Sequence, residues 1–277
     1  MRDNWGYGGK VCVVTGAASG MGKAAAEMLV DLGAKVYALD VNPADTDGLT
    51  AFLQTDLSKR ESIDRAFAQI PPNIDAFFGV AGLTGRSTDY ATTLTVNYSA
   101  NRYIVDRFLR ERMAEGGSIG FITSSAGTGW ETAKCQETYL DFIRAEGWDE
   151  TLDLMGQKGL DQQPGQLAYA ISKRAMNYYA SALAIELRPR GIRVNSVLPG
   201  STDTGMTGDF VASLGSMERL VQFTGGGRLA SPEEMAAPLV FLGSRMASYI
   251  SGTALVVDYA LDTEIVLGLK PDPFGFR

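Results

Sequence analysis

The feature that most limits what this chain can become is a short apolar run, Val11-Cys-Val-Val14. It breaks into a glycine-bearing turn and resumes with helical period from about Met21 to Leu32, closed by Gly33. Val36-Tyr-Ala-Leu39 then reads as a second strand, and further strands are expected at 52–55, 76–80, 118–123, 193–198 and 254–257, with helices between them. Strands separated by helices pair in parallel through crossovers. The expected fold class is therefore α/β, a single Rossmann-type, doubly wound parallel sheet with helices on both faces. Ligands of such sheets bind beyond the carboxyl ends of the strands, so the residues just after each apolar run are the ones to inspect.

At 277 residues and 45% apolar composition, one domain covering 1–277 is enough to bury a substantial core. One stretch breaks the rhythm. An insertion at about 131–166, with a charged, amphipathic piece from Glu137 to Lys158, is expected to add one or two helices. The tail at about 267–277 carries Pro271, Pro273 and two Phe residues; it either packs over a neighbouring subunit's active site or frays.

The chain has no histidine. Ser-His-Asp hydrolysis, Cys-His proteolysis and His-ligated zinc fall away, and chemistry is left to Tyr, Lys, Ser, Asp or Glu. Cys12 lies in an apolar run and Cys135 in a polar segment, with no metal-ligand spacing, so no metal and no disulfide framework are expected. The formal net charge is −7 with no run of Lys or Arg, which argues against nucleic acid as a partner. No window approaches the roughly 18 apolar residues of a membrane span, and Met1 to Lys10 lacks the apolar core of a signal peptide. A cytoplasmic protein without membrane contact is expected.

Thr15-Gly16-Ala-Ala-Ser19-Gly20-Met21-Gly22 follows the first strand. Gly16 permits the tight turn, Gly20 lets the backbone approach a pyrophosphate, and Gly22 lets the helix pack close to the strand, while the helix N-terminus offers free N–H groups to phosphate. Asp40 ends the second strand, where a carboxylate can accept both hydroxyls of an adenosine ribose and repel the extra phosphate of NADP. The cofactor expected is NAD. Glycine-rich turns also occur without nucleotides, and a lone Asp can simply cap a turn; the pairing gives them meaning.

Leu167-Ala-Tyr169-Ala-Ile-Ser-Lys173 puts a phenol and an ammonium at i and i+4, on one helix face. A nearby ammonium is expected to lower the Tyr169 pKa, so that the phenol exchanges a proton with an alcohol or ketone. Taken alone, the pair is more often an ordinary helix-surface contact.

With these motifs together, the chain resembles the short-chain dehydrogenase/reductase family over essentially its whole length. The family's TGxxxGxG fits Thr15 to Gly22, including Ser19 and Met21; its acidic ribose residue fits Asp40, and its adenine-contacting Asp and small aliphatic fit Asp56-Leu57. Its Asn-Asn-Ala-Gly fits only Ala81 and Gly82 of Gly79-Val-Ala-Gly82, which removes two structural amides. The catalytic tetrad fits Asn97, Ser124, Tyr169 and Lys173; Ser125 is the alternative serine, and the glycine three residues on, Gly127, favours Ser124. Pro199, Gly200, Thr202 and Thr204 fit the loop that closes on the carboxamide, although a Thr there also suits a helix cap.

The resemblance implies the roles. Ser124 hydrogen-bonds the substrate oxygen, Tyr169 is the acid/base, Lys173 binds ribose and tunes Tyr169, and Asn97 holds a water that relays the proton. The insertion is similar in position to that of the 3α-hydroxysteroid dehydrogenase/carbonyl reductase branch, which implies a secondary alcohol of a hydroxysteroid or bile acid as substrate. A small non-steroid alcohol or carbonyl compound is the alternative. Trp130, Met206 and Phe210 are candidate lining residues, Trp130 equally a packing residue, and the insertion either gates substrate or contacts a subunit. Homo-oligomers, dimers or tetramers, are usual in the family and expected here. Two other classes are less suited: a noncatalytic redox sensor usually lacks the Tyr or Lys, and the longer-chain epimerases carry GxxGxxG.

Overall fold

The computed structural model describes residues 4–222 and 224–272. Its strands are β1 (Val11–Thr15), β2 (Lys35–Asp40), β3 (Ala51–Gln54), β4 (Ile74–Gly79), β5 (Met113–Ile122), β6 (Arg193–Pro199) and β7 (Ala254–Val257). They form one seven-stranded sheet in the order β3-β2-β1-β4-β5-β6-β7, with every pairing parallel. β1 and β6 are buried nearly throughout, which is why they read as unbroken apolar runs and not as alternating ones. β1 pairs with β2 on one side and β4 on the other, so strand order reverses at the β1/β4 border and a crevice opens beyond their carboxyl ends.

One sheet face carries α1 (Gly20–Asp31) and, near the far end of the chain, α12 (Pro232–Gly243). Ala24, Ala25, Ala26 and Leu29 of α1 pack with Leu239 and Val240 of α12 over Cys12, Val14, Val36 and Phe78. The other face carries α2 (Arg60–Phe67) and a helical stretch made of α3 (Tyr90–Leu94), α4 (Ala100–Ile104) and α5 (Arg110–Arg112), joined through π turns at Thr95–Ser99 and Val105–Leu109. Beside it runs the 23-residue helix α9 (Gly165–Leu187). Leu94, Ile104, Ala175 and Leu183 bury Val13, Phe77, Ile119 and Phe121 on this side.

The insertion holds more helix than expected. α6 (Ala133–Gln136), α7 (Leu140–Arg144) and α8 (Gly147–Gln157) are three short helices, because Gly147 at φ +83° breaks the amphipathic Glu137–Lys158 piece in two. Cys135, despite its polar neighbours in sequence, is fully buried with Tyr139, Phe142, Trp148 and Met155. Trp148 meets Tyr103 edge-on at 5.7 Å, and Arg102 donates to the carbonyls of Phe142 and Ile143 at 3.2 and 3.3 Å. The apolar side of the insertion thus covers the chain's own helices α4 and α9.

The last described segment is α13 (Leu261–Val266) and its continuation to Asp272. Pro273, Phe274 and Phe276 lie outside the described residues.

Candidate active site

A cleft of about 1070 Å³ runs along the carboxyl ends of the strands. Its first half is built from backbone. Gly16 stands at φ +72°, and a Cβ there would lie 2.8 Å from the Ala81 backbone. At Gly22 a Cβ would lie 2.0 Å from the Gly16 carbonyl, so the turn closes only with glycine at both places. The N-terminus of α1 opens into the cleft, where the capping residue Ser19 makes no side-chain cap bond and the first turn holds no acid. This leaves unfilled N–H groups and an uncompensated positive dipole end, the arrangement that takes a phosphate.

Asp40 ends β2. Its Oδ2 accepts from Ala18 N at 3.0 Å and its Oδ1 from Asn42 N at 2.9 Å, so the carboxylate is fixed beside the turn while each oxygen keeps acceptor capacity. No cation pairs with Asp40 among the described residues. Lys23, one turn into α1, pairs instead with Asp45 at 2.6 Å. Asp56 is pushed up by partial burial, but Lys59, 2.8 Å away, and Ser58 outweigh this and hold it below the usual carboxylate range. Asp56, Leu57, Ala81 and Gly82 all line the cleft. A cradle that excludes any Cβ, an open helix N-terminus and a fixed acceptor together suit a dinucleotide.

Ser124, Ser125, Tyr169 and Lys173 line the second half. Ser124 lies just beyond β5, where its Oγ accepts from Ala126 N at 3.1 Å. Gly127 explains the serine-to-glycine spacing: its N–H donates to the Ser124 carbonyl at 2.8 Å, and a Cβ on it would lie 2.7 Å from Asn177 of α9. Lys173 is buried at 4% exposure, with Nζ donating to the Ile122 carbonyl at 3.3 Å and standing 5.6 Å from the Tyr169 ring centroid.

The expected lowering of Tyr169 by Lys173 is corrected here. Burial in the cleft raises the phenol above its ordinary value, and the opposing influence is a hydrogen bond with Ser124, not the ammonium. Burial likewise pushes Lys173 down, to about 8, since nothing anionic accompanies it. Desolvation wins over proximity because Nζ faces a carbonyl and not the phenolic oxygen.

Asn97 sits in the first π turn. Its Nδ2 donates to the Leu83 carbonyl at 3.0 Å and to Ser172 Oγ at 3.1 Å, and its Oδ1 accepts from Leu83 N at 2.7 Å. The carboxamide is thereby engaged on both atoms, tying the segment after β4 to α9 between Tyr169 and Lys173. Its backbone carbonyl accepts from Asn101 Nδ2 at 3.4 Å and keeps a second lone pair. Two features stand in for the amides missing at Gly79 and Val80. Thr15 Oγ1 accepts from Val80 N and Ala81 N at 3.1 and 3.2 Å, and Asn101 fills the space over Gly79, where a Cβ would lie 2.5 Å from its Oδ1.

Pro199, Gly200, Thr202 and Thr204 line the cleft beyond β6. Both threonines make local bonds as well, Thr202 Oγ1 to the Gly200 carbonyl at 3.0 Å and Thr204 Oγ1 from Met206 N at 3.2 Å. Helices α10 (Thr207–Leu214) and α11 (Met217–Gln222) follow and roof the cleft. Met206 and Phe210 face into it, and the Phe210 ring meets Tyr169 edge-on at 5.9 Å. Trp130 does not belong to it: the indole packs edge-on against Tyr178 at 6.4 Å, away from the cleft, because Tyr139 holds the Trp130 carbonyl through its hydroxyl at 2.5 Å. No residue between 129 and 165 lines the cleft, so the insertion meets it only through Gln166, its last residue, in the first turn of α9.

Sequence reasoning missed Leu83, Thr84, Gln166, Asp209, Leu214 and the stretch from Leu261 to Asp272, which also lines the cleft. These residues come from separate segments with no shared spacing. Only the position of Leu83 and Thr84 just after a strand could have flagged them.

The model for short chain dehydrogenases matches residues 10–139, and the model for enoyl-(acyl carrier protein) reductases matches residues 151–260. The coniferyl-alcohol dehydrogenase of a Pseudomonas species is 33% identical over 261 residues, covering 93% of this chain and 98% of that one. The chain belongs to the short-chain dehydrogenase/reductase family. Among solved members, the 3-alpha-hydroxysteroid dehydrogenase of Pseudomonas sp. B-0831, complexed with NADH, is 26% identical with a TM-score of 0.75, covering 95% of this chain and 100% of that one. A putative NAD(P)-dependent gluconate 5-dehydrogenase of Beutenbergia cavernae, with bound NADP, is 27% identical with a TM-score of 0.73, covering 94% and 99%. Members of this family are oxidoreductases that bind a nicotinamide dinucleotide and act on small molecules. Among the described residues, no helix is long and apolar enough to cross a membrane.

Proposed function

We propose that the chain works as one NAD(H)-dependent domain that interconverts an alcohol and its carbonyl compound. The observation that carries this reading is the meeting of Ser124, Tyr169 and Lys173 on one wall of a cleft whose other end holds Asp40. A bound nicotinamide would supply or accept the hydride. The Tyr169 hydroxyl exchanges the proton with the substrate oxygen, and Ser124, whose hydroxyl opposes the rise in that phenol's pKa, holds the same oxygen from the other side. Lys173, protonated below about 8, contributes positive charge on the Gly82 side, where a glycine Cβ would lie 3.3 Å from Nζ. Asn97 fixes Leu83 against α9 and so holds the two walls in register.

NAD over NADP rests on Asp40, a fixed carboxylate with no described cation beside it to neutralise a ribose phosphate. The substrate reading is a bulky, largely apolar alcohol, since Leu83, Val96, Met206, Phe210 and Leu214 line the cleft and the Phe210 ring meets the catalytic phenol edge-on. A 3-hydroxysteroid is one form, supported by the likeness to the NADH-bound hydroxysteroid dehydrogenase. An aryl allylic alcohol is the second, favoured by the higher identity with the coniferyl-alcohol dehydrogenase. The open edge of β7, with Met246, Tyr249 and Leu255 exposed in or just before it, supports a homo-oligomer.

The test is oxidation of 3-hydroxysteroids, coniferyl alcohol and glycerol with NAD+ and with NADP+. We expect turnover with NAD+ on a ring-bearing alcohol, lowered by about 10²- to 10⁴-fold in Tyr169→Phe, which removes one hydroxyl. Preference for NADP+, or a Tyr169→Phe enzyme at near-full rate, would refute the assignment.

A further inference from the structure

A carboxylate lines the cleft beside the Phe210 ring, apart from the Lys173 ammonium, with which it makes no ion pair. Asp209 lies in the first turn of α10, one residue before the ring that meets Tyr169. An acid there could serve only the amides of its own helix terminus. Its side chain does something else: Oδ2 accepts a hydrogen bond from the Thr84 hydroxyl, which comes from the segment after β4 on the opposite wall. Thr84 Oγ1 in turn accepts from Arg86 N at 3.3 Å, so the threonine has spent its one hydrogen on Asp209. Both side chains line the same cleft as Ser124 and Tyr169. No ion pair among the described residues involves Asp209.

A carboxylate offers about four lone-pair sites, and one hydroxyl partner leaves most of them unused. A half-buried carboxylate covered by a ligand needs hydrogen-bond partners, so its vacant acceptor sites set the chemistry of what can fill the space. An anion is repelled. An ammonium would bring three donors; beyond Asp209, Phe210 and Met206 offer it no acceptor, and Ser213 Oγ is already engaged with the Asp209 carbonyl and with Gln166. A hydroxyl brings a single hydrogen that Asp209 satisfies completely.

We propose that Asp209, steadied by Thr84, reads a second hydroxyl group of the substrate, so that the substrate is a neutral ring-bearing alcohol with a further hydrogen-bond donor and no acid beside the reacting carbon. This rests on the dehydrogenase reading above.

The experiment uses two alcohol pairs that differ by one hydroxyl: 4-hydroxycinnamyl against cinnamyl alcohol, and a 3,12-dihydroxysteroid against its 3-hydroxy parent. The wild-type enzyme should prefer the hydroxylated member of at least one pair by tenfold or more in kcat/KM, because a site built for a hydroxyl discriminates strongly against its absence. Asp209→Asn keeps an acceptor for Thr84, removes the charge and should bring that ratio to within about threefold of one, chiefly through KM. Thr84→Val should reduce the ratio in the same direction by a smaller factor. If Asp209→Asn slows both members equally and keeps the ratio, Asp209 only latches α10 and the inference is overturned. An unaltered ratio with unaltered rates overturns it too. If the wild-type enzyme oxidises no member of either pair with NAD+, the substrate reading above has failed, and this one with it.

Discussion

The two halves of the cleft are made from different materials. On the dinucleotide side, function is a matter of backbone: where a Cβ is absent, where a helix begins, and where a strand ends on a carboxylate. On the substrate side it is a matter of side chains gathered from α9, α10, α11, α13 and the segment after β4, far apart in sequence. The first half tolerates few residue types at fixed spacing, and the second tolerates many at no spacing. A backbone site should therefore fail abruptly on substitution, and a side-chain site should change by degrees.

The sharpest way to break this contrast is Gly22→Ala. A methyl group at that position would overlap the Gly16 carbonyl, with a Cβ-to-oxygen distance of 2.0 Å, and neither partner is a flexible side chain. We expect a loss of more than about 3 kcal/mol of stability, measured by urea unfolding, together with loss of NADH binding in a fluorescence titration. Retained stability and binding would mean that the turn is not set by backbone contact.

The same contrast explains what could be read from sequence. The order of strands and helices was legible because β1 and β6 are buried on both faces and so announce themselves as apolar runs. Gly16, Gly22 and Asp40 were legible because each answers a local geometric demand. Trp130 was not, since a large aromatic near a catalytic serine looks the same whether it faces a ligand or Tyr178. The insertion misled for a related reason: its amphipathic pattern gives a buried face, but not what buries it. That face covers α4 and α9, while α10, α13 and Lys270 to Asp272 wall the cleft. Asp209 carries no motif at all and is visible only when Thr84 is seen across from it.

Lys173 tests the border between the halves, because it was expected to act on Tyr169 through charge and is instead dominated by its own desolvation. A lysine near 8 in the folded chain and at 10.5 in the unfolded one binds its proton more weakly when folded. The native state therefore bears a penalty that is complete below about pH 8 and disappears as pH rises towards 10.5. Lys173→Met removes the charge, so the variant should gain stability over wild type at pH 7, and that gap should shrink by on the order of 2 kcal/mol by pH 9.5. Urea unfolding at the two pH values measures it. A gap that is constant or widens would show that Lys173 is not buried as a charge.

The smallest effect is expected where sequence and structure part most clearly. Trp130→Phe keeps an aromatic ring against Tyr178, and the Trp130 backbone carbonyl still accepts from Tyr139. The edge-on contact is worth about 0.5–1.5 kcal/mol, of which a phenyl ring retains part, so the stability loss should stay below about 1 kcal/mol. Because the indole is not on the cleft, kcat/KM on the best ring-bearing alcohol should stay within about twofold of wild type. A tenfold rise in KM for that alcohol, with stability unchanged, would place Trp130 against substrate. It would also restore the insertion as part of the substrate wall, leaving the side-chain half of the cleft to be redrawn with α6 in it.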